Sequence, residues 1–148
     1  MCEYCGCRQI EPIAELMDEH LGLLELSGDI RRSLIMTDYD AAVETLREFS
    51  RMLEIHVRRE ERGVFTALKD QGEFAEAVRE LEQEHASFDQ SLAALDPSAA
   101  DFDAVVNHLL NELSDHIDKE NLGIFPVAVV SLGASGWDTV TRAHERDN

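Results

Sequence analysis

Apolar residues recur every three or four positions along most of the chain, which is the spacing that places them on one face of an α-helix. The clearest stripe contains Phe74, Val78, Leu81, His85 and Phe88, where the steps alternate between four and three. Long helices are predicted over about residues 12–34, 37–69, 73–95 and 98–132, followed by a short fifth helix over about 137–145.

Residues typical of helix ends mark several of these boundaries. Thr37 followed by Asp40, and Ser98 followed by Asp101, each form a Ser/Thr-x-x-Asp start signal. Pro126 is predicted to kink the last turns of the fourth helix. Because the connections are short, neighbouring helices should be antiparallel. We therefore expect an all-α, antiparallel up-down-up-down four-helix bundle with a short C-terminal helix.

The chain is expected to divide into three parts. Residues 10–133 should form the bundle, and residues 134–148 a C-terminal extension whose short helix covers one end of it. Residues 1–9 are expected to be a flexible tail that contains all three cysteines, Cys2, Cys5 and Cys7. An odd number of cysteines clustered at one end cannot cross-link distant parts of the fold through disulfide bonds. Reduced thiols are therefore expected, and their role stays open.

Composition and charge exclude several classes of partner. The chain has 148 residues, 44% of them apolar, which is enough for the core of one domain. Its net charge of -18 repels phosphate groups and anionic lipids, so we expect neither nucleic-acid nor membrane binding. No apolar run approaches the roughly 20 residues that span a bilayer, and the first residues lack secretory features. A cytoplasmic location is therefore expected.

An internal repeat is the strongest organisational feature of the sequence. Residues 15–20 (ELMDEH) match residues 80–85 (ELEQEH), and residues 56–65 (HVRREERGVF) match residues 116–125 (HIDKENLGIF). The chain is therefore interpreted as two copies of a helix pair. Each copy contributes one histidine from its first helix and a His-x-x-x-Glu unit from its second.

Six polar residues occupy stripe positions where a plain bundle would have leucine. They are His20, His56, Glu60, His85, His116 and Glu120. A buried, unpaired carboxylate is costly, and a divalent metal ion can compensate that cost. Residues four apart share a helix face, so each His-x-x-x-Glu unit presents one nitrogen and one carboxylate inward. Two ions are expected, each with two histidines and with both carboxylates bridging. Mixed nitrogen and oxygen ligands with open positions favour iron or manganese over structural zinc.

The order of these six residues resembles that of the hemerythrin-like HHE cation-binding domains, over about residues 12–130. The resemblance implies an antiparallel four-helix bundle, two iron ions with a bridging oxo, hydroxo or water ligand, and metal-ligand roles for the six residues.

The chain departs from the oxygen-carrying hemerythrins at two positions. Asp89 stands where those proteins have a second histidine on the third helix. Glu120 follows His116 by four residues, where they have an aspartate five residues on. The pattern is more similar to the branch with four histidines and two glutamates, which includes cluster-repair proteins, an iron-sensing domain, and bacterial proteins with nitric oxide or peroxide chemistry.

These features lead to one main functional hypothesis and two alternatives. The main hypothesis is a redox-active di-iron protein that binds or reacts with O2, NO or H2O2 and has a role in oxidative or nitrosative stress, with or without a protein redox partner. One alternative is an iron or oxygen sensor. The other is an iron donor for iron–sulfur cluster repair that uses the cysteine tail.

Several further residues are weaker candidates. Glu19 and Glu84 each precede a ligand histidine and are either hydrogen-bond acceptors for the site or solvated acids. Glu112 and His108 lie one and two turns before His116, and His108 is expected to be partly exposed. His144 is expected to be solvated, and Phe65 and Phe125 are expected to pack in the core.

Overall fold

The computed structural model describes residues 10–146, which are helical over most of their length and contain no β-strand. The α-helices are α1 (Glu11–Ile35), α2 (Tyr39–Glu60), α3 (Thr66–Gln71), α4 (Ala75–Ala93), α5 (Phe102–Lys119), α6 (Phe125–Ser131) and α7 (Ala134–Arg146). Two π-helical segments, Glu61–Phe65 and Glu120–Ile124, join α2 to α3 and α5 to α6. Because each π segment continues the helices on either side of it, the described chain forms five continuous helical rods, namely α1, α2–α3, α4, α5–α6 and α7. The first four rods make the predicted all-α hemerythrin-like bundle.

The first two helix starts were predicted with mixed success. The α1 helix begins at Glu11, with Pro12 in its first turn as expected. Thr37, however, is in a left-handed conformation with φ 54°, and the N-cap of α2 is Asp38. The Asp38 carboxylate accepts a hydrogen bond from the backbone N–H of Ala41. Thr37 therefore belongs to the turn before α2 and does not cap the helix.

The fourth rod also begins later than its predicted start signal. Ser98 donates its backbone N–H and its hydroxyl to Asp96 Oδ1, over 3.0 and 2.7 Å, and so forms a turn. The α5 helix begins at Phe102, with Asp101 at the N-cap position. The prediction that Ser98 starts the helix is wrong, because its side chain bonds backwards to Asp96.

Both long second helices of the repeat contain a π turn directly after their inward glutamate. Phe65 lies nine residues after His56, so a regular α-helix would place these side chains on opposite sides. A π turn absorbs one extra residue and rotates the following residues back toward the centre of the bundle. Pro126 lies directly after the second π segment, at the start of α6.

The apolar core is divided into two clusters by a polar layer. In α1, Met17 belongs to the first cluster and Leu23 to the second, with His20 between them. The largest side chains of the clusters are fully buried, among them Phe65 and Phe125 on one side and Phe49 on the other. The polar layer is therefore sealed by apolar side chains along the bundle axis in both directions.

The fifth rod, α7, packs against the π segment Glu61–Phe65, α3 and α1. It is the predicted short C-terminal helix at one end of the bundle, with slightly wider bounds. His144 in α7 is only 5% exposed, and its Nδ1 lies 2.7 Å from Oε2 of Glu15 in α1. The prediction that His144 is solvated is therefore wrong, because α7 folds back onto the bundle and buries it.

Within residues 10–146, no helix combines the length and the apolar character that a membrane crossing requires.

Candidate metal centre

All six candidate ligands lie in the polar layer between the two apolar clusters. The four histidines are each at most 5% exposed, and both glutamates are fully buried. Each histidine comes from a different helix, namely α1, α2, α4 or α5. Glu60 is the last residue of α2, and Glu120 is the first residue of the second π segment. The structure thus brings together all six residues that the sequence proposed as metal ligands.

The six side chains form two groups of four that share both carboxylates. One group contains His20, His56, Glu60 and Glu120, and the other contains Glu60, His85, His116 and Glu120. Within each group, one donor atom per residue lies within 4.8 Å of every other. Each group is therefore compact enough to hold one metal ion, and two ions held in this way would have both carboxylates in common.

The imidazole Nε2 atoms all point toward the carboxylates. His56 Nε2 and His85 Nε2 lie 3.2 and 3.3 Å from Glu60 Oε1. His20 Nε2 lies 2.9 Å from Glu120 Oε1, and His116 Nε2 lies 3.1 Å from Glu120 Oε2. Each carboxylate thus contacts one histidine of each helix pair, which is the arrangement that a bridging ligand requires.

A hydrogen-bond acceptor lies beside the opposite nitrogen, Nδ1, of every ligand histidine. The four pairs are His56 with Glu19 at 2.7 Å, His116 with Glu84 at 2.9 Å, His85 with Glu61 at 2.9 Å and His20 with Asn121 at 2.8 Å. An ionised carboxylate only accepts, so Nδ1 of His56, His85 and His116 carries a proton, and Nε2 is the nitrogen that faces the site. Such outer hydrogen bonds orient ligand histidines in metal sites.

Two of these acceptors are themselves held by basic side chains at matched positions. Glu19 also pairs with the guanidinium of Arg59, and Glu84 lies 2.8 Å from Nζ of Lys119. These charges contribute to a lowered pKa for both carboxylates, against the effect of burial, which is the largest single influence and raises it. Both acids are therefore ionised hydrogen-bond acceptors and not solvated bystanders.

Two phenylalanines stack on ligand histidines. Phe125 lies parallel to His20, with ring centroids 5.5 Å apart, and Phe65 lies parallel to His85, at 5.4 Å. These are the matched residues of the repeat that the π turns rotate inward. They were predicted to pack in the core, and they also fix the planes of two ligand rings and exclude water from them.

The site contains buried polar atoms whose partners are not supplied by the described residues. All four carboxylate oxygens of Glu60 and Glu120, and Nε2 of His20 and His56, are buried without a hydrogen-bond partner. His85 Nε2 and His116 Nε2 lie only 3.0 Å apart. Lone pairs and carboxylates crowded in this way need protons or a metal ion between them, because leaving them buried without a positive charge costs several kcal/mol. A cation between them removes that cost, so the donor set fits a metal.

The same electrostatics appear in the pKa values of the metal-free site. Burial by itself lowers the pKa of His56, but Glu60 and Glu19 outweigh it and raise the pKa to about 10. Burial also raises the pKa of Glu120, but the neighbouring imidazoles, His116 foremost, hold it well below its usual range. The layer therefore attracts positive charge strongly.

A cavity of about 600 Å³ opens beside the site, between α2 and α4. Its lining includes His85 and Glu61 next to the candidate ligands, and Leu53, Val57 and Asp89 farther out. Asp89 is the position where the oxygen-carrying hemerythrins have an additional histidine. Here its side chain lines the cavity, which extends to the buried side chain of His85.

The remaining sequence candidates lie away from the centre. His108 is 77% exposed and pairs with Glu112 at 2.7 Å, which agrees with the predicted exposure of His108. Cys2, Cys5 and Cys7 lie outside the described residues.

Four residues of the site were missed by sequence reasoning, namely Glu61, Asn121, Arg59 and Lys119. The last two immediately precede the bridging glutamates at matched positions of the repeat, and this matching was the signal available. Glu61 and Asn121 immediately follow those glutamates, and their contacts depend on π turns that helical periodicity does not predict.

Comparison with known families agrees with this geometry. The family described as the hemerythrin HHE cation binding domain matches residues 11–128, most of the chain and all six candidate ligands. No curated protein and no solved structure matches the chain. The family match covers the four rods of the bundle, and the two groups of buried donors are what a cation-binding domain needs. The chain therefore belongs to the hemerythrin HHE cation-binding domain family.

Proposed function

We propose that this protein is a non-haem di-iron protein that binds or reacts with small oxidants such as O2, NO or H2O2. The observation that carries the proposal is the sharing of Glu60 and Glu120 between both groups of four donors. His20 and His56 then hold one ion, His85 and His116 hold the other, and the two carboxylates bridge them.

The donor chemistry supports iron. Each group offers two imidazole nitrogens and two carboxylate oxygens, and non-haem iron accepts this mixture while keeping positions open. Iron held there would supply electron exchange with a bound oxidant. Structural zinc sites, by contrast, are closed tetrahedra that are usually rich in cysteine, and no cysteine lies within residues 10–146.

The chain's own contribution is to orient ligands, exclude water and admit small molecules. The four Nδ1 hydrogen bonds fix the imidazole tautomers, while Phe65 and Phe125 cover two of the rings. The cavity between α2 and α4 provides an approach to His85 from one side. A diatomic molecule or a peroxide fits this opening easily, and the apolar clusters above and below keep bulk water out.

Metal content per chain and a Mössbauer spectrum test the proposal directly, on protein from iron-supplied cells. Two irons per chain in a coupled pair, together with consumption of H2O2 or NO, are expected. Glu60→Ala should lose the coupled pair and the consumption, whereas His108→Ala, on the exposed surface, should retain both. One zinc per chain, or full turnover in Glu60→Ala, would contradict the proposal.

A sensor is the second candidate function, and one observation favours it. The buried ligands come from four different helices, and without a cation they repel one another. Metal occupancy would therefore strongly change the stability of the bundle, by about 4 kcal/mol at a metal concentration of about 1,000 times Kd. A sensor would show this stabilisation with no multiple turnover. The iron-donor alternative depends on Cys2, Cys5 and Cys7, and stays a prediction.

A further inference from the structure

The two π segments have matched sequences but different surroundings. A Cβ atom built on Gly63 would lie 3.2 Å from Cβ of Ala143 and 3.5 Å from Cα of Val140, because α7 crosses directly over this glycine. A Cβ atom built on Gly123, the matched residue, would meet no described atom within 4 Å. The surface that α7 covers in the first helix pair is thus open in the second.

The open surface is a groove of about 340 Å³ between α4 and the second π segment. We call it the second groove, and the surface under α7 the first groove. The lining of the second groove includes Phe74, Ala77, Glu80, Gly123, Ile124 and Val127. The internal repeat pairs Glu80 with Glu15, Gly123 with Gly63, and Val127 with Ala67. The second groove is therefore a copy of a surface that is known to accept a helix.

The first groove shows which helix chemistry such a surface accepts. Small or branched residues of α7, Val140 and Ala143, cross Gly63, and both are buried. The neighbouring His144 bonds through Nδ1 to Glu15 at 2.7 Å. Glu80 is exposed at the matched position, so a donor or cation on an equivalent helix would meet it.

The helix that carries Gly123 has a more apolar exposed surface than the helix that carries Gly63. Arg62 and Asp70 are exposed in the first helix pair, and their matched residues in the second pair are Leu122 and Val130. Leu122 is 67% exposed and Val130 is 82% exposed. Replacing two charges by two exposed apolar side chains favours coverage by another apolar surface over contact with water.

We propose that the second groove docks an amphipathic helix of a partner protein. This helix carries small or branched side chains over Gly123 and a basic side chain against Glu80, as α7 does over Gly63 and Glu15. A second copy of this chain is the poorer occupant, because two copies with a net charge of -18 repel each other. The docked helix would cover the segment that carries Glu120 and Asn121, so it would lie directly outside the metal centre.

The probe is a fluorescein-labelled peptide of residues 134–146 (ASGWDTVTRAHER) with the change Arg142→Lys, so that an amide bond between the new amine and the Asp138 carboxyl holds the peptide helical; both positions are exposed in α7. Fluorescence anisotropy measures its binding to the metal-loaded, full-length protein, whose own α7 occupies the first groove. Saturable binding of one peptide per chain is expected. Gly123→Leu should weaken it by at least about tenfold, since the new side chain fills the groove.

Matched variants separate the second groove from its alternatives. Glu80→Ala should weaken binding about two- to fivefold, as an exposed ion pair does, while Glu44→Ala, at the other end of α2, should not change it. Thermal unfolding checks that Gly123→Leu is folded. No binding to the wild-type protein would overturn the proposal, as would binding that Gly123→Leu leaves intact, since the peptide would then exchange with α7.

Two further outcomes would reassign the groove and overturn the proposal. The first is a concentration-dependent dimer in sedimentation that Gly123→Leu dissociates, because the occupant would then be a second copy. The second is a more than tenfold gain in peptide affinity when residues 1–9 are removed, because the occupant would then be the chain's own N-terminal segment.

Discussion

The two helix pairs of this protein are nearly identical around the metal centre and differ outside it. Each pair contributes two histidines, one glutamate that belongs to both groups of donors, one carboxylate acceptor for a histidine Nδ1, and one phenylalanine stacked on a histidine. The differences begin at the next residue outward, where Glu61 in the first pair corresponds to Asn121 in the second. They continue at the surface, where α7 covers Gly63 and leaves Gly123 open.

This comparison separates two requirements. Two groups of donors that share both carboxylates need equivalent residues from both pairs, so the donors and their hydrogen-bond acceptors are repeated. Residues outside the two groups are under no such constraint, so the two sides can differ there. A negative charge beside His85 and a cavity on the same side make that half of the centre different from the His20 half. The following predictions test where the equivalence ends.

The largest effect is expected when a bridging carboxylate is removed. Glu60→Ala and Glu120→Ala should each reduce affinity for both ions by more than about 100-fold, since each carboxylate belongs to both groups and outer residues alone contribute about 10- to 100-fold. Metal content after dialysis against a weak chelator measures the effect, with the exposed Glu54→Ala as control. Loss of a single ion in either variant would show that the carboxylates do not bridge.

The next largest effect on metal affinity is expected when a carboxylate that accepts a hydrogen bond from a histidine Nδ1 is removed. Glu19→Ala and Glu84→Ala each remove a carboxylate acceptor from a ligand histidine, and each should weaken metal binding by about 10- to 100-fold. Competition with a chromophoric chelator gives both affinities. Because the two pairs are equivalent here, the effects should agree within a few-fold. A large effect of only one variant would show that the two helix pairs are not equivalent at the ligand histidines.

The matched glycines should behave oppositely. Gly63→Leu forces α7 away from the bundle and should lower the free energy of unfolding by about 1–3 kcal/mol. A Cβ atom at Gly123 meets no described atom within 4 Å, and Gly123→Leu removes a helical glycine, so it should raise the free energy by up to about 1 kcal/mol. Urea titrations at constant metal occupancy measure both values. Equal destabilisation would mean that the second groove is already covered.

The smallest effect is expected at Glu61 and Asn121, the two matched residues beside the centre that differ between the helix pairs. Glu61→Asn makes the two halves alike and replaces a charge-assisted hydrogen bond to His85 by a neutral one, which costs about 1 kcal/mol. Metal affinity should fall about fivefold. The reciprocal change, Asn121→Glu, should increase affinity by a similar factor. Isothermal titration of the metal-free protein measures both, and changes of the same sign would show that charge at this position does not distinguish the halves.

Much of the bundle and all six candidate ligands could be predicted because they follow regular periods. The repeat and the stripes place His20, His56, His85 and His116 on inward faces, and the four-residue spacing places the glutamates beside two of them. The structure brings these side chains together. Glu19 and Glu84 were candidates only because they adjoin ligands, and the contact that defines them comes from a neighbouring helix.

The features that escaped prediction depend on irregular backbone or on long-range packing. A period of 3.6 residues cannot reveal a π turn, so neither the stacking of Phe65 and Phe125 on two histidines nor the contacts of Glu61 and Asn121 were foreseen, although both phenylalanines were correctly predicted to pack in the core. The prediction that His144 is solvated was wrong because α7 folds back onto α1, which brings His144 next to Glu15, 129 positions away in the chain. Thr37 was misplaced because its neighbour Asp38 is the better cap.

The internal repeat has a consequence for how such a centre can arise. Each helix pair holds both histidines of one group of four donors but only one of its two carboxylates, so neither pair alone has a complete group. Two identical copies of one pair, related by a twofold axis, would complete both groups at once. A gene for two helices whose product dimerises around metal would therefore already encode the centre, and duplication and fusion of that gene would then free the two halves to diverge.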